Sequence, residues 1–421
     1  MCTPLMLFVA FISWEALAGV DSNVIKAINI NGLERTGLNV VRRELPFAKG
    51  DSWQDNLAVV GERRLRNLGL FSEVHILRPD NEGIVHISVK ERWTLWLLPE
   101  GSRSDIGKTT AGITLTEHNL WGLHHKLRLA VREDTGKNFT DLNGTSYQAS
   151  YFWRRIADGP LSWTFSINKG ESVFDAFENG ILTSQYNLKQ DSWSTSFIYG
   201  LGPVPGEGWD IGLGFSSSLS NFTLVKGLLL DSVQDSRRKG MHIFAAYQLI
   251  DDQITWLTGV SFSYSFGVAH RAFGSTMNVY RQQFDLRKHV LATGKSTFDM
   301  RLSGGAASGD VFLDGLYDIG GKNQLRGYFP GELQGTYYMF GSLEGRVPIS
   351  KGGSFQLVGF TDIGQIWKNG QPALGSDVLV GSGIGLRWIL RWLIKGTFRT
   401  DVAYGWATNR WRVHFGTGQA F

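Results

Sequence analysis

Trp209-Asp210-Ile211-Gly212-Leu213-Gly214-Phe215-Ser216 places its apolar side chains on odd positions and its small or polar ones on even positions. A period of two marks a strand, in which successive side chains leave opposite faces of the sheet. The alternation recurs at Trp256, Thr258, Val260, Phe262, Tyr264 and Phe266, with Gly259, Ser261, Ser263 and Ser265 between them. One face is apolar and aromatic; the other is small or polar. From Trp93 onward no stretch has helical spacing, and runs of this kind follow one another across polar or Gly-rich breaks.

Alternation alone suits a soluble sandwich as well as a membrane sheet, since both have one apolar face. Two features favour the membrane. The runs are about 10 residues long, as a strand tilted across a bilayer requires, and aromatics recur near their ends like interfacial girdles. Lipid cannot satisfy a free sheet edge, so a spanning sheet has to close on itself. The pattern predicts strand cores near 94–102, 109–118, 124–134, 145–156, 160–170, 189–200, 208–219, 238–249, 255–267, 276–288 and 295–305. Five more follow near 335–347, 354–367, 378–390, 396–406 and 411–421, making sixteen. Residues 93–421 therefore read as a sixteen-stranded antiparallel transmembrane β-barrel, with a long Gly-rich loop at roughly 306–334.

Residues 21–92 read differently. Val24–Ile30 has strand composition and ends at Asn31-Gly32; Thr36 is placed to cap a short helix that runs to about Leu45, before Pro46. Ser52 is placed to cap a second helix carrying Leu57, Val60, Leu65 and Leu68 at helical spacing, and strands over 71–78 and 84–90 follow around an Asp80–Gly83 turn. The order is βααββ, a small α+β domain. Residues 1–20, with an apolar run Leu5–Ile12 and an Ala16-Leu17-Ala18 end, read as a secretory signal peptide, although Met1–Pro4 lacks Lys and Arg. The other reading is a buried N-terminal helix.

Cys2 is the only cysteine, so a mature chain would have no disulfide, Cys metal site or Cys nucleophile. No run reaches the about 18 apolar residues of a membrane helix. The 42 Lys and Arg against 38 Asp and Glu are dispersed, without a basic patch, so no nucleic-acid partner is expected. His124-His125 and the other histidines lack ligand spacing, and no G-x-S-x-G elbow occurs. No metal, cofactor or catalytic activity is expected.

Within the long loop, Gly320-Gly321-Lys322-Asn323-Gln324-Leu325-Arg326-Gly327-Tyr328 holds one Arg between turn-forming glycines. Two later strands each carry a carboxylate. With Tyr337, Met339, Leu343 and Val347 facing lipid, Ser342, Glu344 and Arg346 face inward. With Leu357 and Ile363 outward, Phe360, Asp362 and Gly364 face inward. A loop folded back into the lumen would bring the guanidinium fork to both acids. An acid–base pair made of Glu344 and Asp362 is disfavoured, because Arg326 would keep both ionised.

Leu325-Arg326-Gly327-Tyr328 behind Gly320-Gly321, then Glu344 with Pro348, then Phe360, Asp362 and Gly364, follow the order of three family motifs. These are the (V/L)RGY/F loop, the ExxxP strand and the FxDxG strand of the BamA/TamA-like outer-membrane assembly and secretion factors, which this chain resembles. Leu68–Val74 resembles the LGxFxxV signature of a POTRA domain, and Asn119–Leu123 the turn between the family's second and third strands. Phe415 and the carboxy-terminal Phe421, on the aromatic face of the last strand, resemble the recognition signal of outer-membrane barrels.

The resemblance implies one POTRA domain in the periplasm, an outer-membrane barrel, and a lumenal loop whose Arg326 is received by Glu344 and Asp362. It implies an assembly factor that inserts barrel proteins without ATP, by β-augmentation at a lateral seam where the last strand pairs with the first near Leu95, Trp96 and Leu97. Implied partners are unfolded outer-membrane clients or a secreted passenger, periplasmic or lipoprotein accessory subunits, and the lipid bilayer. A translocation pore for a specific passenger, as in two-partner secretion, and a passive channel are the alternatives.

Overall fold

The computed structural model describes residues 24–103, 109–135, 143–178, 181–368 and 377–417. The expected signal peptide, Cys2 and Phe421 lie outside these residues.

The amino-terminal domain runs β1 (Ala27–Asn31), α1 (Leu38–Arg42), α2 (Asp55–Asn67), β2 (Phe71–Ile76) and β3 (Ile84–Glu91), with β3 central, parallel to β1 and antiparallel to β2. Neither helix is capped by the hydroxyl expected from sequence: α1 starts at Gly37 and α2 at Gln54, each without a side-chain cap. Tertiary contact claims those residues instead. Thr36 Oγ1 accepts from Asn119 Nδ2 at 2.9 Å, and Ser52 bridges to Val24. Ile25, Val41, Leu65, Phe71 and Ile87 form a core that continues into Trp96, Leu393 and Ile394 of the following sheet.

That sheet has sixteen strands. They are β4 (Leu95–Arg103), β5 (Thr109–Leu120), β6 (His125–Thr135), β7 (Asn143–Trp153), β8 (Leu161–Glu178), β9 (Ile181–Gly200), β10 (Gly208–Gly227), β11 (Ser236–Asp252), β12 (Leu257–Ala269), β13 (Val279–Leu291) and β14 (Thr297–Gly309). A loop carrying the two-residue strands β15 (Tyr317–Asp318) and β16 (Gln334–Gly335) intervenes. The series then resumes with β17 (Tyr337–Pro348), β18 (Phe355–Trp367), β19 (Leu379–Leu390), β20 (Gly396–Gly405) and β21 (Arg410–Thr417). Each pairs antiparallel with its neighbour in this order, β14 joining β17 across the loop. Trp209, Ile211, Leu213 and Phe215 are all exposed, and so are Leu343, Val347, Leu357 and Ile363, which gives the sheet an apolar outer band.

Three strands outrun their sequence pattern. β8, β9 and β10 span 18, 20 and 20 residues, so 171–178 and 181–188 are strand although their periodicity is weak. About 9–11 residues are enough to cross a bilayer; the remainder exceeds that length, and packing against the long loop takes the place of lipid in deciding which residues are buried. A cluster of Ala176, Tyr186, Leu230, Val233 and Leu313 holds this extension against the long loop.

The two ends of the sheet differ from expectation. Among the described residues no ladder joins β21 to β4, although the last strand was expected to pair near Leu95–Leu97. The foot of β4 is committed to another element: the Trp93 N–H donates to the Trp392 carbonyl at 2.8 Å and its carbonyl accepts from Ile394 N–H at 3.0 Å. Arg92 Nη2 adds a bond to the Leu393 carbonyl.

At the end of the sheet where the turns are short, the amino-terminal domain is seated on several of them. Gly37 N–H bonds the Gly122 carbonyl in the β5–β6 turn, Arg43 pairs with Asp158 after β7, and Asn67 Nδ2 bonds the Ile250 carbonyl of β11. Gly122 has φ +72°, and a Cβ there would strike the Arg35 carbonyl. Gly122→Val is therefore expected to unseat the domain: tryptic cleavage at Arg92 should speed up at least several-fold, while the barrel keeps its folded, heat-modifiable mobility on gels. Unchanged cleavage would show that the junction is not held at this turn.

Candidate functional site

Arg326 sits in the loop between β14 and β17, fully buried, and the loop lies inside the curled sheet. Gly327 makes this possible: its φ is +97°, and a Cβ would lie 2.7 Å from the Gly405 backbone nitrogen. Gly381 on β19 is equally constrained, since a Cβ would strike the Arg326 carbonyl. Glycines on the wall thus let the loop backbone lie directly on it. Leu325 and Tyr328 flank the arginine, both fully buried, packed with Ile319, Tyr317, Tyr338 and Phe340. Gly364 leaves room for them, because a Cβ there would come 2.9 Å from Ile319 Cδ1. Gly320 and Gly321 form the loop's entry turn, where Gly320 N–H bonds Asp318 Oδ1 at 2.9 Å.

The guanidinium meets two walls at once. Its Nε and Nη2 donate to the two oxygens of Asp362 at 2.7 and 2.8 Å, and its Nη1 donates to Glu344 Oε2 at 2.8 Å. The Arg326 backbone N–H also donates to Asp362, at 3.1 Å. The plane lies over the Phe360 ring, 3.4 Å from its centroid. Ser342 Oγ donates to Asp362 at 2.6 Å. A fork engaging one carboxylate bidentately is the strongest geometry for such a pair.

Several partners have no counterpart in the sequence motifs. Glu344 also accepts from Arg346 at 2.9 Å and Arg387 at 3.2 Å; Arg346 reaches Asp299, which pairs with His289, and Arg387 reaches Asp401 at 2.6 Å. Three arginines thus face four buried carboxylates, with His289 at one end. Strand parity could have marked Arg387 and Asp401 as inward. It could not have set them beside Glu344, because that depends on register across β17–β20. The loop continues along the last strands: Tyr328 Oη donates to the Val380 carbonyl, Arg399 donates to Lys322 O and Asn323 Oδ1, and Arg412 stacks on Phe329 at 3.2 Å. Phe415 is exposed on the outer face of β21.

The Omp85 superfamily domain matches residues 119–421, and the surface antigen variable number repeat (POTRA) matches residues 23–92. The outer membrane protein assembly factor BamA of Neorickettsia risticii (strain Illinois) is 26% identical over 348 residues, covering 80% of this chain and 44% of that protein; the chain thus spans less than half its relative's length. Among solved structures, BamA from Haemophilus ducreyi lacking POTRA domains 1–3 aligns with TM-score 0.55 at 16% identity, covering 94% of this chain and 83% of that one. CdiB from Acinetobacter baumannii aligns with TM-score 0.61 at 16% identity, covering 94% and 73%, and CdiB from Escherichia coli with 0.62 at 11%, covering 94% and 74%.

Removing one partner of a buried ion pair costs roughly 3–5 kcal/mol, because the other charge is left uncompensated. Arg326→Ala should strand Asp362 far more than Glu344, which keeps Arg346 and Arg387. Adding Asp362→Asn to Arg326→Ala should therefore recover most of the lost stability, and adding Glu344→Gln should not. The urea midpoint of the unboiled, gel-resolved barrel reads this directly. Equal rescue by both second substitutions would contradict the asymmetry.

Proposed function

This chain belongs to the Omp85 superfamily and lies in the outer membrane with its POTRA domain in the periplasm, and from that premise we propose that it is an assembly factor that inserts β-barrel proteins into that membrane without ATP. The observation that carries the reading is the reach of the loop. Its hold on β17 and β18 through Arg326 continues through Tyr328, Arg399 and Arg412 to β21, the edge of the sheet. The wall at the carboxy-terminal end of the sheet is thus braced from inside, and among the described residues β21 and β4 are its two end strands, each with one unladdered edge.

A free edge is a template for an incoming strand. Each added backbone bond contributes about 0.5–1.5 kcal/mol net, and pairings can be exchanged one for one as a client strand zips onto β4 or β21. Such exchange needs no chemical energy input. The POTRA sheet offers further edges, since β1 and β2 both lie at its borders. In this reading the ion pairs of Arg326 keep the loop in the lumen and set the shape of the wall that receives the client.

Arg326→Ala is expected to leave the barrel in the membrane yet impair client insertion several-fold, read by outer-membrane proteomics after depletion and complementation. Full complementation would remove the assigned role. A cysteine replacing Leu97, combined in turn with one replacing Trp411, Val413 or Phe415, should trap the seam as a disulfide and stop insertion until reductant is added. Undiminished insertion by the trapped form would argue against the gate. Depletion that leaves the barrel inventory intact while one exported protein accumulates inside would favour the passenger-specific translocation pore.

A further inference from the structure

Cations gather where the POTRA domain meets the barrel, and the acids there are already taken. Arg63 Nη2 and Arg64 Nε both grip Glu207, at 2.8 and 3.0 Å. Arg155 lies 3.0 Å and Arg43 3.6 Å from Glu44, and Arg43 also holds Asp158 at 2.9 Å. Between these two clasps lies a polar chamber of about 330 Å³, walled by α2 on one side and by the turns after β7, β9 and β19 on the other.

Arg154 and Lys395 line it, and among the described residues neither has a carboxylate within ion-pair distance. Arg154 Nε is shielded from solvent and has no acceptor. The remaining acid on the wall, Asp210, accepts from Gly206 N–H with its two oxygens, at 3.3 and 3.1 Å. Six cations in this shell meet four carboxylates, and the nearby Asp252, which attracts Lys395, attracts Arg92 as well, so seven cations against five carboxylates leave two positive charges over. Desolvation pulls Arg154 below its ordinary pKa, as expected where burial outweighs counter-charge, while Lys395 lines the chamber and is still exposed to solvent.

We propose that this chamber binds a phosphate-class anion between Arg154 and Lys395, and that the bound anion clamps the POTRA domain to the barrel. Phosphate carries about −1.5 to −2 charges at neutral pH, which matches the surplus, and a guanidinium fork suits its oxygens. The lining mixes Arg64, Arg154, Lys395, Asn67 and Gln248 with Leu68 and Val204, so a free phosphate and a lipid headgroup are both accommodated. Because Arg64 of α2 forms part of the wall, an occupant neutralises repulsion across the junction, so by linkage it favours the seated domain.

The test uses the full chain in a zwitterionic detergent and follows tryptic release of the POTRA domain. Inorganic phosphate should slow release at least fivefold and saturably, whereas chloride at matched ionic strength should not. Arg154→Gln combined with Lys395→Gln should abolish this response while keeping the heat-modifiable barrel and, without phosphate, a melting temperature no lower than the parent's. No saturable effect on the parent chain, or an effect that survives in the double variant, overturns the proposal. Soluble glycerol phosphate acting as well as inorganic phosphate identifies a free ligand; protection that also appears with phosphatidylglycerol micelles at lower phosphate concentration identifies a headgroup. Protection by acetate or an acidic peptide, with none by phosphate, overturns the phosphate assignment.

Discussion

A guanidinium withdrawn from water inside a protein wall has to be met by carboxylates, and at Arg326 two meet it from adjacent strands while an aromatic ring supports its face. Desolvating such an ion costs several kcal/mol, which is returned only when the geometry is good on all sides. The arrangement therefore tolerates little compromise. With the loop displaced by a few ångströms, Asp362 would lose its bidentate partner and the Arg326 backbone N–H together. What these pairs fix here is which part of a long Gly-rich segment touches which strands.

The amino-terminal domain is joined to the barrel by more than a linker. Its core runs without interruption into Trp96, Leu393 and Ile394, and its polar surface bonds turns far apart in sequence. Apolar packing and ion pairs across one boundary make the two parts open together or in sequence, not independently. The domain can move only by surrendering both kinds of contact.

Much of this was readable from residues alone. Period-two alternation locates all sixteen strands, because lipid outside and small residues inside impose opposite demands on neighbouring positions. Parity on β17 and β18 assigns Glu344 and Asp362 to the inside before any register is known. The same logic fails over 171–188, where the strands pack against the long loop and the β10–β11 connection instead of presenting one face to lipid. Parity also places Arg346 inward beside Glu344, two residues away, but it cannot bring Arg387 and Asp401 to them, since that meeting depends on the stagger of β17 to β20. The helix starts were misread because Thr36 and Ser52 serve tertiary contacts that no local pattern records.

The inner loop touches β14 and the five sheet strands after it, whereas among the described residues β4 is held by its ladder to β5 and, at its foot, by Trp93. Mechanical stiffness is thus unequal on the two sides of the gap. The carboxy-terminal side is a propped jamb; the amino-terminal side is a leaf hung along its length from β5. On the β4 side, resistance to displacement above the foot is backbone pairing with β5, and among the described residues no lumenal brace of the kind that holds β17 to β21 stands there.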